Sequence, residues 1–133
     1  MVDIKCPSGS DCKLAYVDTG NNLVFTDCGD ETCSSNTISY PTISGETNEG
    51  LSLACPSATN CKVTLNDSDN VRLGFVDCDN ATCSSGTATQ VVENGDQFTG
   101  VSCPSSDDCK VSYIDSNGDF AFFDCNSEVC TGP

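Results

Sequence analysis

Short apolar runs, rich in β-branched and aromatic residues, fill this chain, each broken by clusters of Gly, Asn, Asp, Ser or Pro. No apolar stripe repeats at the roughly 3.6-residue period of a helix, so the pattern predicts an all-β protein. Strand a is expected at Val2–Cys6, Leu51–Cys55 and Gly100–Cys103, and strand b at Cys12–Asp18, Cys61–Asn66 and Cys109–Asp115. Strand c follows at Leu23–Cys28, Val71–Cys78 and Phe120–Cys125, and the Thr- and Ser-rich stretches "SSNTISY" and "SSGTATQVV" supply strand d. Between b and c stand "DTGNN", "NDSDN" and "DSNGD", made of the residues that turns favour.

The b–c register follows from the same pattern. If Lys13 opposes Asp27, the turn centres on Gly20; Ala15, Val17, Leu23 and Phe25 then share one face, and Leu14, Tyr16 and Val24 the other. The last hairpin divides likewise, with Ile114, Phe120 and Phe122 against Val111, Tyr113 and Phe123. Both faces are apolar, whereas a sheet with one solvated side is apolar on one face only. These hairpins are therefore expected to be sandwiched between neighbours, as in propeller blades or stacked layers.

The runs come three times over. Cys6, Cys12, Cys28 and Cys33 align with Cys55, Cys61, Cys78 and Cys83, and again with Cys103, Cys109, Cys125 and Cys130. Each copy opens Cys-Pro-Ser, reaches Cys-Lys, and closes on Phe-x-Asp-Cys with a further Cys beyond. The expectation is one β-repeat domain of three meanders of about 48 residues: 1–50, 51–100 and a shortened 101–133 that lacks its fourth strand. A β-trefoil, which also closes on three units, is the alternative; the two-sided hairpins speak against it.

The cysteines, 12 in 133 residues, mark a disulfide scaffold and an oxidising, extracellular or cell-surface setting. Residues 1–20 lack the basic start and apolar run of a signal peptide, so a mature chain is expected. In a meander the strands lie about 4.8 Å apart, and a bridge from a to d exceeds the roughly 7 Å that disulfide Cα atoms allow. Only adjacent pairing uses every cysteine: Cys6–Cys12 with Cys28–Cys33, Cys55–Cys61 with Cys78–Cys83, and Cys103–Cys109 with Cys125–Cys130. Zinc is disfavoured, because the spacings are wider than zinc knuckles and the chain has no His.

A formal charge of −15 repels phosphate backbones and anionic lipid, so neither nucleic acid nor membrane insertion is expected. The lysines Lys13, Lys62 and Lys110 recur opposite Asp27, Asp77 and Asp124, and read as cross-strand ion pairs. Asp115, Asn117 and Asp119 alternate as calcium ligands do, yet stand where a turn is required; no cofactor is expected unless calcium binds there. Asn66 and Asn80 begin glycosylation sequons. No His, nucleophile elbow or phosphate loop is present, so the chain is not expected to be an enzyme. For glycans, Tyr16, Tyr40 and Tyr113 are the available platforms.

At "SYIDSNGDFAFFDCNSEVC" and "GFVDCDNATCSSGTATQVV" the chain resembles tandem repeats of secreted bacterial proteins that form β-propellers, in which a Tyr-Asp hairpin leads into a Cys-bounded turn and a Thr-rich strand. The Cys-Pro-Ser-x-x-x-Cys segments at 55–61 and 103–109 resemble a second group of propeller-like repeats. The resemblance implies blades and an extracellular setting, and carries over no functional residue. The expected function is a structural protein whose copies self-assemble into a fibre, sheath or surface array. The alternatives are a glycan-binding lectin or adhesin module and a fragment of a larger propeller.

Overall fold

The computed structural model describes residues 1–30, 32–34, 36–39, 50–67, 72–84, 86–92 and 95–125. They form an all-β protein with no helix. The first antiparallel sheet contains β1 (Val2–Ser8), β2 (Asp11–Val17), β3 (Leu23–Cys28) and β4 (Asn36–Ser39), in that order. The second contains β5 (Leu51–Ser57), β6 (Asn60–Asp67), β7 (Arg72–Cys78) and β8 (Gly86–Val92), again in chain order. The third has three described strands, β9 (Gly95–Ser105), β10 (Asp108–Asp115) and β11 (Phe120–Cys125), with β10 in the middle. None of the sheets closes on itself.

The predicted register holds. Lys13 faces Asp27, Ala15 faces Phe25 and Val17 faces Leu23. Lys62 faces Asp77 and Lys110 faces Asp124. Strand β9 begins at Gly95 rather than Gly100, because its first residues continue the ladder through Asp115–Gly95 and Ile114–Gln97 across two register shifts. In each first hairpin the register slips between the residue before Cys-Pro and the second residue after that cysteine: Lys5/Ser8, Ala54/Ser57, and Ser102/Ser105 opposite Lys110/Asp108. A proline has no amide hydrogen to give the ladder, so a bulge is the natural place for it.

Two cores lie between the sheets. Ala15, Leu23 and Phe25 of the first sheet pack with Leu53, Val63, Leu65 and Val76 of the second. On the other side of the second sheet, Leu73 and Phe75 pack with Val101, Val111, Tyr113 and Phe123 of the third. The second sheet is thus covered on both faces. The expectation that every hairpin is sandwiched is corrected for the first and the third: no described sheet lies on the Leu14 and Tyr16 face of the first, and none covers Phe120 and Phe122 of the third, which are 70% and 68% exposed. Across the first junction the Asp3 carboxylate accepts a 2.8 Å hydrogen bond from the Leu53 amide. Across the second, the Ser52 hydroxyl accepts one of 3.2 Å from Val101.

Candidate functional site

Five of the predicted disulfides are formed: Cys6–Cys12, Cys28–Cys33, Cys55–Cys61, Cys78–Cys83 and Cys103–Cys109. Their Cα atoms are 4.0, 4.5, 4.1, 4.6 and 4.1 Å apart, as adjacent strands and tight turns allow. Cys125 is disulfide-bonded as well, and its expected partner Cys130 lies outside the described residues. No described cysteine is free to act as a nucleophile.

The turn after each c strand is built the same way twice. Asp30 Oδ1 accepts from the amides of Thr32 and Ser34 at 2.9 and 3.0 Å, and its Oδ2 from the Ser34 hydroxyl at 2.6 Å. Those donors hold the Asp30 carboxyl far below the usual carboxylate range, the Ser34 hydroxyl contributing most. Asn80 stands in the equivalent place and accepts from the Ser84 amide at 3.1 Å. This organisation carries Cys33 and Cys83 into left-handed backbone, at φ 55° and 53°, which non-glycine residues adopt only when their surroundings impose it. Sequence reasoning did not single out Asp30; its recurrence as Asn80, two residues past the c-strand cysteine, is the available signal.

The repeated Lys–Asp pairs exist in all three sheets, in different surroundings. Lys13 is 1% exposed and reaches Asp11 at 2.6 Å and Asp27 at 2.5 Å. Burial pulls its ammonium pKa down, but the hydrogen bonds and charges of Asp11 and Asp27 together outweigh it and leave the value above the ordinary one. Lys62 bonds Asp77 with both side chains buried, and burial drives the Asp77 carboxyl up despite the lysine. Lys110 reaches Asp108 at 2.7 Å and Asp124 at 3.1 Å with all three side chains about half exposed. The hydrogen bond from Lys110 to Asp108 and then that to Asp124 hold its ammonium above the ordinary value. The pairs lie in separate sheets and do not converge on one ligand.

Asp115, Asn117 and Asp119 form a hairpin turn. Asp115 Oδ1 accepts from the amides of Asn117 at 2.8 Å and Asp119 at 3.0 Å, which keeps its carboxyl below the ordinary value, the Asp119 amide first. Asp18 makes the matching turn with Gly20 and Asn22, and its carboxyl is likewise lowered, chiefly by the Asn22 amide. Among the described residues, no three His, Cys, Asp or Glu side chains group as metal ligands. The left-handed residue of the first turn is Asn21, at φ 62°, not Gly20. A Cβ at Gly20 would meet Asn22 Nδ2 at 2.8 Å and Asp18 Oδ1 at 3.2 Å, so these turn side chains would have to shift to admit one.

The remaining candidates are dispersed. Asn66 is wholly buried, so in the folded protein its amide is closed to a glycan, and the sequon there is corrected. Neither its nitrogen nor its oxygen finds a partner. Asn80 is partly exposed, with Nδ2 3.2 Å from the Ser84 hydroxyl. Tyr113 is buried and meets Phe123 edge to face, ring centroids 6.0 Å apart; burial raises its hydroxyl pKa. It is therefore no sugar platform. Tyr16 is half-buried, and Tyr40 lies outside the described residues.

Exposed large apolar side chains stand at the two ends of the stack. At one end Phe120 and Phe122 stand exposed on the third sheet, beside a shallow groove of about 370 Å³ lined by Gly100, Ser102, Ser112 and Phe122 among others. At the other end Val2 and Ile4 are 62% and 55% exposed, on the face they share with Leu14 and Tyr16 through direct pairing. The five disulfides fit an oxidising, extracellular environment, and no described helix is long and apolar enough to cross a membrane. Compared with known proteins, the chain matches no family model, no curated protein and no solved structure.

Proposed function

We propose that this chain is a non-enzymatic, extracellular structural protein made of three blade-like repeats, whose copies assemble into a fibre, sheath or surface array. One observation carries the reading: the stack of sheets ends on an apolar face at both sides, with Phe120 and Phe122 at one end and Val2 and Ile4 at the other. Exposed apolar surface of this kind marks an interaction site, and disulfides suit a building element that works outside the cell. Glycan binding has less support, since Tyr113 is sealed in the core.

Light scattering of the oxidised protein at micromolar concentration tests the proposal. A net charge of −15 repels copies from each other, so association should strengthen as the Debye length falls from about 30 Å at 0.01 M salt to about 8 Å at 0.15 M. A stable monomer at both salt concentrations would refute self-assembly. It would turn the reading to a slice of a larger propeller, whose neighbouring blades cover both faces.

A further inference from the structure

The three sheets are stacked in one sense. Call the face of the first sheet that carries Lys13, Ala15 and Phe25 its forward face, and the opposite one, with Ile4, Leu14 and Tyr16, its rear face. The first core joins the forward face of sheet one to the rear face of sheet two, through Leu53, Val63 and Leu65. The second core joins the forward face of sheet two, Leu73 and Phe75, to the rear face of sheet three, Val111 and Tyr113. Forward therefore meets rear at both junctions. What remains open is the forward face of sheet three and the β1 side of the rear face of sheet one, at Val2 and Ile4; farther across that rear face Val24 and Thr26 are buried.

Aligned on the cysteines, the positions on the open forward face are those buried twice inside the molecule. Phe25 and Phe75 are 0% and 1% exposed, and the equivalent Phe122 is 68% exposed. Leu23 and Leu73 are 2% and 0% exposed; Phe120, in the same place, is 70% exposed. The lysine follows suit: the side chains of Lys13 and Lys62 are 1% exposed, that of Lys110 46%. On the open rear face, Ile4 at 55% occupies the place of Leu53 at 0% and Val101 at 9%. Solvent faces with no partner have no reason to keep Phe where the covered sheets have Phe and Leu.

We infer that the forward face of sheet three docks on the rear face of sheet one of a second copy of this chain, repeating the junction that the molecule already makes twice. This deepens the self-assembly reading and rests on it. The contact is heterologous, so it runs on as a filament or, if rotation closes it, as a ring. The groove over Gly100 and Ser112 receives apolar side chains from the partner, as Ala15 and Thr64 lie against Val- and Leu-bearing faces inside the molecule. One internal feature is not reproduced. Asp3 and Ser52 accept an amide from the next sheet, and Gly100, at the same position, has no side chain to do so. The amide that such a bond would take, that of Ile4, is already donated to Asp3 at 2.8 Å, so docking leaves no donor orphaned there.

The test uses two blocked variants of the full oxidised chain, Phe120→Ser/Phe122→Ser for the forward end and Val2→Thr/Ile4→Gln for the rear end. All four positions are more than half exposed, and an unchanged disulfide map and unfolding midpoint check that each variant folds. In analytical ultracentrifugation the parent should assemble, each variant alone should be monomeric, and their mixture should give a one-to-one dimer and nothing larger. That dimer cannot form through an isologous Phe-to-Phe contact or by strand addition along β11. Should the parent assemble while either variant still assembles alone, or while the mixture stays monomeric, the forward-to-rear contact is wrong and self-assembly stands on another surface. A monomeric parent overturns both.

Discussion

Removing the Lys62 ammonium should be among the most damaging single changes in this protein, and removing that of Lys110 among the mildest. Lys62→Met keeps the length of the aliphatic stem but leaves the Asp77 carboxylate, 2% exposed, without its only ammonium. Breaking a buried pair from one side costs about 3–5 kcal/mol, a fall of roughly 2 M in urea midpoint at a slope of about 2 kcal/mol/M. Lys62→Met/Asp77→Leu, which removes both charges, should recover most of that loss. Lys110→Met leaves Asp108 and Asp124 half exposed to water and should barely move the midpoint. Urea titrations with disulfides intact, in the Phe120→Ser/Phe122→Ser background so that association does not shift the curves, give all three values. The loss in Lys62→Met should also shrink in acid. Burial raises the Asp77 pKa, so a neutral carboxyl forms more readily in the folded state, and its stabilising share is complete below the unfolded value and lost as pH rises through the folded one. Equal midpoints for Lys62→Met and Lys110→Met would refute the claim that burial separates the pairs.

Asn66→Val should stabilise the protein by about 1–2 kcal/mol, because a buried amide without partners is replaced by the residue that the first sheet carries at Val17; a lowered melting temperature would show that the amide has a partner. Acid should destabilise the fold as pH falls below the ordinary aspartate value of 3.8, since Asp18, Asp30 and Asp115 all have depressed folded values. Their contribution is present above the unfolded pKa and lost as pH falls through the folded one; a melting temperature flat from pH 5 to pH 2 would contradict it. EDTA should leave the melting temperature unchanged, because Asp115 already accepts two amide hydrogens in its turn; a drop of several degrees on chelation would make Asp115, Asn117 and Asp119 ligands.

The sequence carried much of this fold at the level of single hairpins. Lys13 opposite Asp27 sets every later pairing in its hairpin, and the cysteine spacings leave only neighbours to join. Both are local matters, decided by turn length and strand alternation. What lies between sheets was less legible. Phe75 and Phe122 stand in the same place, three residues before the cysteine that ends their strand, and the presence or absence of a following sheet makes one buried and the other exposed. Asn66 could not be recognised as buried, because its polarity suggests solvent while its position, that of Val17 and Ile114, faces the next sheet. The first turn does centre where the pairing puts it, but the residue that takes the positive φ is Asn21, which the pairing alone does not indicate.

The Cys-Pro bulge that opens each sheet bears on aggregation. β1 and β5 are the outermost strands of their four-stranded sheets, and β9 is an outer strand of the third. An outermost strand with free amides and carbonyls is a template on which foreign strands can grow towards amyloid. Here Pro7, Pro56 and Pro104 each delete an amide from that template, and the slipped register bends the strand out of line. The neighbouring disulfides, Cys6–Cys12, Cys55–Cys61 and Cys103–Cys109, pin the bend, so it cannot be ironed flat by an incoming chain. These three corners guard one edge of each sheet against sideways fusion, the edge formed by β1, β5 and β9.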